Sequence, residues 1–353
     1  MKTYEAASYI TIFAFITTLL TNSFLIFLTI FHIKNIYGTY KWMIAIFAGM
    51  GIFFSILEVT VRPCVHNFNA GFIYFSLNRT FPTGLLRILT ASYSGFFCSL
   101  LAFISMQFIY RCWTLISSPL VETFHGFKIA FWILFVITPN LMFALVIILL
   151  MPPDEYSDGY QEIRYMKEEM MNIYALNSTD IARFIIVAYN ETGGIRWKNV
   201  SCVLTLSTTL TLNLVIIAYS AYRMRREMHT CMKLMSTKNQ KLETQFFKAL
   251  VAQSAFPTFL LVLPTGPVML LPFFNIEISL QTGLLFSLIS LYPPLDSIAM
   301  MLIIKEYKGC ILDLIGRSRG SSSVTQSEIV VEAISASEYG VTRADERYAC
   351  TSF

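Results

Sequence analysis

A carboxylate in the middle of an apolar run costs about 2.5–3.5 kcal/mol on membrane-insertion scales, so each one calls for a partner or a purpose. Asp296 is the deepest such group, inside Tyr292-Pro293-Pro294-Leu295-Asp296-Ser297. The prolines remove two backbone donors and free carbonyls for a polar cluster, the composition of a hinge or of a static polar knot. Glu58 comes next, with Arg62 four residues later and Pro63 closing the run. That order favours an ion pair on one helical face, fixing the end of the run. His66 follows in an outer loop, as a group able to titrate near neutral pH or simply as a polar surface residue. Another run ends in Tyr110-Arg111-Cys112. An Arg there can bridge to neighbouring helices in one packing and release in another, or snorkel to lipid phosphate. This is the chemistry of a switch. The four His (His32, His66, His125 and His229) are scattered, and no metal-ligand cluster or pair of nucleophile and base stands out. Neither an enzyme nor a bound cofactor is expected.

The elements that must position these groups are seven apolar stretches, at residues 8–31, 42–61, 88–110, 127–151, 202–222, 249–271 and 284–304. Each is roughly 20 residues or more, enough at about 1.5 Å per residue to cross a hydrocarbon core about 30 Å thick. Only helices satisfy the backbone there. The reading is an all-α membrane protein, a seven-transmembrane helix bundle covering residues 1–316. Composition agrees, with 55% apolar and 14% charged residues against about 25% charged in soluble domains. Lys and Arg set the orientation. Arg111, Arg223, Arg225, Arg226, Lys238, Lys241, Lys248, Lys305 and Lys308 fall on one side, while the longest loop of the other, residues 152–198, is net acidic. The amino terminus is therefore expected outside and the carboxyl terminus in the cytoplasm. The net charge of +4 resides in the inner connectors and needs no nucleic-acid partner. The first run is too long for the apolar part of a signal peptide and no small-residue cleavage site follows it, so it is read as a retained helix.

The sequons at Asn78, Asn177 and Asn190 fall on the expected outer side. A fourth, at Asn199, lies too near the membrane for modification. The long outer loop contains no Cys, so it must be held by packing, sugars or its own helices; a bridge from Cys64 to Cys202 is geometrically conceivable. Residues 305–316 form an amphipathic run suited to the inner leaflet, with Cys310 as a palmitoylation candidate. Residues 317–353 read as a disordered Ser-rich cytoplasmic tail, whose cluster of Ser and Thr is equally a set of kinase sites or inert. Pro257, Pro264 and Pro267 make kinks in the sixth span.

Several motifs in order carry a resemblance. Gly38-Thr39-Tyr40-Lys41, Glu58 with Arg62-Pro63 and His66, Tyr110-Arg111, Pro153-Asp154-Glu155-Tyr156, Phe247-Lys248-Ala249-Leu250 with Gln253 and Pro257, Pro264-Thr265-Gly266, and Tyr292-Pro293 with Leu295-Asp296 resemble the nematode serpentine chemoreceptors of class r, the Str family that includes the diacetyl receptor. The similarity runs along nearly the whole chain and fades after Gly316. Ser297 departs from it, standing where the family often has a second Pro after the Asp.

The resemblance implies a G-protein-coupled chemosensory receptor in the ciliary membrane of a sensory neuron. Its partners would be a small odorant-like ligand, a heterotrimeric G protein α subunit, membrane lipid and a trafficking accessory protein. It also implies that Tyr110, Arg111, Lys248, Tyr292, Pro293 and Asp296 form the switch and the coupling surface. A ligand pocket is expected between helices in the outer half of the bundle, lined by aromatic and small polar residues. Its candidates are Phe54, Glu58, Tyr93, Phe96, Phe97, Thr205, Thr208, Thr265, Met269 and Phe286. Two other classes remain: a ligand-gated seven-helix channel, which would place the amino terminus inside, and a secondary transporter, for which internal repeats are expected and none is seen.

Overall fold

The computed structural model describes residues 3–33, 38–151, 157–177, 180–190, 192–231, 235–274, 276, 279–314 and 316. The tail beyond Gly316, with its Ser and Thr cluster, and the Pro153–Tyr156 motif lie outside these residues. The apolar runs become long helices because continuous peptide hydrogen bonding is the one way to satisfy such segments away from water. In chain order they are α1 (Thr3–Phe27, continued by a π-turn at Leu28–His32), α2 (Thr39–Val61), α3 (Thr83–Leu115), α4 (Ile129–Leu150) and α6 (Trp197–Cys231). The sixth span is α7 (Thr237–Pro257), a π-turn at Thr258–Val262, and α8 (Leu263–Leu270); the seventh is α9 (Gly283–Ser287) and α10 (Tyr292–Ile303). Among the described residues, seven helical segments are long and apolar enough to cross a membrane.

Helix ends overrun the hydropathy. The third and fifth spans, read at 88–110 and 202–222, extend to Thr83–Leu115 and Trp197–Cys231, because peptide bonding continues into polar residues until a cap stops it. Arg62 stops α2 by taking a left-handed conformation (φ 49°) while its N–H reaches Glu58 O at 2.7 Å, and Pro63 cannot extend the helix. The Ser236 hydroxyl caps α7, accepting from the Asn239 N–H at 3.4 Å.

α3 is the central helix, with 72% of its apolar window buried, against 17% for that of α4. Gly95 allows the close approach of these two. A Cβ there would stand 2.7 Å from the Asn140 carbonyl oxygen, and Ser99 donates to Val136 O across the same seam at 2.7 Å. α1, α2 and α10 meet at Asn22, which donates to Ala48 O (2.9 Å) and accepts from Ser297 (2.6 Å). Outward faces are apolar: Phe13 and Leu20 on α1, Phe131 and Leu134 on α4, and Leu212 and Val215 on α6 are all exposed. Such a surface suits hydrocarbon as solvent.

A sheet closes one end, where the sequence carries no strand alternation. β1 (Pro63–Phe68), β2 (Gly71–Ser76), β3 (Arg183–Val187) and β4 (Ser279–Gln281) form an antiparallel sheet in the order β3-β2-β1-β4. Both faces of β2 and β3 are buried, so the alternation that marks a half-exposed strand is missing. α5 (Ser157–Tyr174) lies over the sheet, packing Met166, Met170 and Tyr174 against Cys64, Ile73 and Phe75. The long loop is thus tied by strand pairing and an apolar cluster. No Cys64–Cys202 bridge forms: both thiols are free, Cys64 under α5 and Cys202 inside the bundle. At the opposite end α11 (Lys305–Leu314) docks through the buried Tyr307, whose hydroxyl lies 2.7 Å from that of Thr29.

Candidate functional site

Beneath the sheet, six spans leave a cavity of about 80 Å³. Phe54 of α2, Tyr93 and Phe97 of α3, Thr265 and Met269 of α8, and Phe286 of α9 line it, six of the ten residues expected there. Tyr93 stacks on Phe54 with ring centroids 4.8 Å apart. Phe96 stands behind Phe54 at 6.3 Å and packs on Phe53 at 5.0 Å. α6 presents a different face from the one expected. Cys202, Val203, Leu206 and Leu210 look into the cavity, while Thr205 bonds back to Ser201 O and Thr208 is exposed. The sequence reading favoured hydroxyls, whereas burial on α6 follows the apolar stripe.

Val65, Phe72, Tyr74 and Ile186 form the roof. These were missed because the strands were missed. The cavity's polar groups are few and mostly engaged: Tyr74 donates to Thr90 O (3.1 Å) and accepts from Ser94 (2.9 Å), and Thr265 donates to Leu261 O (2.6 Å). Lone pairs and the free Cys202 thiol are what such a lining offers a ligand.

Glu58 lies at the edge of this site and does not pair with Arg62 as expected. Its Oε1 accepts from Ser290 (2.6 Å) and from Tyr93 (3.3 Å), while Arg62 donates to Ser8 Oγ at 2.8 Å. The left-handed turn at Arg62 takes its side chain off the helical face on which the spacing argument depends.

At the α11 end, Arg111 is buried and its Nη2 meets Glu243 Oε2 at 3.0 Å. The guanidinium also lies 4.4 Å from the Tyr40 ring centre and 4.1 Å from that of Phe246. Tyr110 continues the cluster, stacked at 6.5 Å on Tyr40 and edge-on at 5.0 Å to Phe124. Lys248 is exposed on α7. Glu243 was not singled out, although it is the one acid within the basic stretch 238–248. That signal was available.

Asp296 lies between the two ends, where its Oδ2 accepts from Gln253 Nε2 at 3.2 Å. It joins the seventh span to the sixth, four residues before Pro257 and its π-turn. Asp296 Oδ1, Gln253 Oε1 and the Tyr292 hydroxyl are buried with no protein partner. Pro293 approaches α2 at Gly51, whose added Cβ would stand 3.3 Å from the proline ring. The switch candidates therefore divide into an Arg111 cage and an Asp296 knot, both resting on the sixth span. Of the sequons, Asn190 is exposed, Asn78 donates its amide to Thr60 O (2.6 Å), Asn177 reaches Asp180 (3.5 Å), and Asn199 is buried against Val187 O (2.9 Å). Cys310 on α11 is half-buried, which pushes its thiol pKa up.

Comparison with known proteins gives a match of residues 7–312 to the serpentine type 7TM GPCR chemoreceptor Str family. The chain is 38% identical to G-protein coupled receptor str-33 of Caenorhabditis elegans over 332 residues, covering 92% of this chain and 94% of that one. It is 27% identical to serpentine receptor class r-10 of C. elegans over 299 residues (83% and 86%), and 29% identical to that of C. briggsae over 305 (84% and 86%).

Proposed function

Because this chain belongs to the Str family of serpentine seven-transmembrane chemoreceptors, we propose that its cavity beneath the sheet binds a small odorant-like molecule and that the Arg111 cage passes the event to a heterotrimeric G protein. The cavity is the observation that carries this reading. Its lining is mostly apolar, and its volume of about 80 Å³ is roughly half that of an engineered cavity of about 150 Å³ that holds benzene. A molecule larger than the closed cavity binds better to a packing in which the walls stand apart. That difference in affinity is what shifts the population between packings.

The sixth span contributes Thr265 and Met269 to the cavity and Gln253 and Glu243 to the lower clusters. Its movement would therefore loosen Arg111 from Glu243. The G protein would enter at the α11 end, meeting Lys248 and the basic end of α6. The same reading places the amino terminus outside, the chain in the ciliary membrane of a sensory neuron with a trafficking accessory protein, sugars on the accessible sequons, and an acyl chain on Cys310.

The test is a calcium or cAMP screen of volatile and water-soluble compounds in cells expressing the chain. A responsive compound should lose its effect when Leu206→Trp fills the cavity, with surface expression unchanged. An undiminished response, or currents in cells lacking the G protein, would sink the reading.

A further inference from the structure

A second cavity, of about 250 Å³, lies between α1, α2 and α9. Two opposite formal charges line it, Glu58 and Arg62, one helical turn apart on the chain. They do not meet. Glu58 is 3% exposed, and among the described residues its carboxylate takes hydrogen bonds from the neutral hydroxyls of Ser290 and Tyr93. Among the described residues no cation pairs with it. The exposed Arg62 spends one guanidinium hydrogen bond on Ser8 and has four more N–H groups to give.

A buried carboxylate without a counter-charge is costly, and a cation brought by a ligand would relieve that cost. A lone cation would meet the repulsion of Arg62, and a lone anion that of Glu58. The arrangement is complementary to a molecule carrying both charges. We propose that this cavity is a second ligand site, for a small zwitterion of the α-amino acid type, with its ammonium on Glu58 and its carboxylate on Arg62. The hydroxyls of Ser8 and Thr11 lie in the lining to complete the hydrogen bonding, and Ile12, Val59 and Leu77 give an aliphatic side chain an apolar wall.

The site is not isolated from the first. Phe286 lines both cavities, and Tyr93, in the wall of the first, bonds the carboxylate that lines the second. An ammonium on Glu58 would share the carboxylate with Tyr93 and Ser290, both of which bond its Oε1, so occupancy of the second cavity would alter the wall of the first.

Leucine, 3-methylbutylamine and 4-methylpentanoate share one branched hydrocarbon and differ in charge, which makes them the probes. Calorimetry and thermal unfolding of the full-length chain in nanodiscs should show leucine binding, with the amine and the acid each weaker by at least about tenfold. Glu58→Gln and Arg62→Gln should each weaken leucine by a similar factor. Arg62 is exposed, so its variant carries the test if Glu58→Gln fails to fold. Failure of leucine to bind at millimolar concentration, an amine that binds as tightly as leucine, or leucine affinity unchanged in Arg62→Gln would each overturn the proposal. The readout is binding alone, so it stands whether or not the first cavity proves to take odorants.

Discussion

Arg111 holds its charge in two ways at once, by an ion pair to Glu243 at 3.0 Å and by lying against Tyr40 and Phe246. Three helices share those contacts, α2, α3 and α7, so no one of them can move away without exposing or stranding a charge. Glu243→Gln should therefore raise ligand-free signalling, shifting the resting equilibrium by about 1–3 kcal/mol. Basal cAMP or calcium at matched surface expression measures it, and Arg111→Ala combined with Glu243→Gln should add little to either alone. Asp296 predicts differently. Removal of its carboxylate leaves Gln253 without its buried partner, a loss of about 1–3 kcal/mol, so Asp296→Ala should change the agonist response while Asp296→Asn, which can keep the bond, changes it less. Loss of surface expression in both variants, with nothing else altered, would make the knot purely structural. Arg111 and Asp296 were legible in the sequence because lipid penalises them wherever they stand. Glu243 showed only as the one acid in a basic stretch and Ser290 not at all, and neither pairing could be read, since partners 132 and 232 residues away are chosen by packing.

The sixth span is the element most able to change shape. Pro257 ends α7 in a π-turn at Thr258–Val262, and Pro264 and Pro267 follow within α8. A π-turn already departs from the α-helical ladder, so rotation about it disturbs fewer bonds than elsewhere in the span. Pro257→Ala should restore a donor and stiffen the span, raising the thermal midpoint by a few degrees and lowering the maximal agonist response; an unchanged response would remove the hinge from this position. The prolines made this element readable in advance. The sheet was not, because Pro63–Phe68 and Gly71–Ser76 are short and buried on both faces.

Its docking to α5 carries a pH dependence. His66 is fully buried on β1, with Glu169 at 3.5 Å from Nε2 and the Tyr174 hydroxyl at 3.4 Å from Nδ1. Burial lowers its pKa, against the opposing pull of Glu169. An unfolded His titrates near about 6.5, so below that pH the opened form binds more protons and the docking weakens. Hydrogen exchange in β1 and α5, corrected for intrinsic rates, should quicken from pH 7.5 to 5.5 (by about threefold or more), and His66→Gln should flatten that change.

At the scale of the molecule, apolar side chains cover the outside of the bundle and polar groups are collected at its seams and ends. The basic connectors of the α11 end and the net acidic long loop on the sheet side predict a cytoplasmic α11 and an external sheet. Epitope tags on intact cells check this: an amino-terminal tag should be labelled and a carboxyl-terminal tag protected, and the reverse pattern would overturn the receptor orientation. The sequence by itself determined the count of spans, the helix that each becomes and the few charges that must be compensated, because these follow from local hydropathy and the cost of a bare peptide group or charge in lipid. Tertiary structure decided which face of α6 looks inward, that Glu58 turns from Arg62 to Ser290, and that three strands, β1, β2 and β3, roof the cavity. Those choices depend on contacts between residues far apart along the chain, where many partners satisfy the same local rule and only mutual packing selects one.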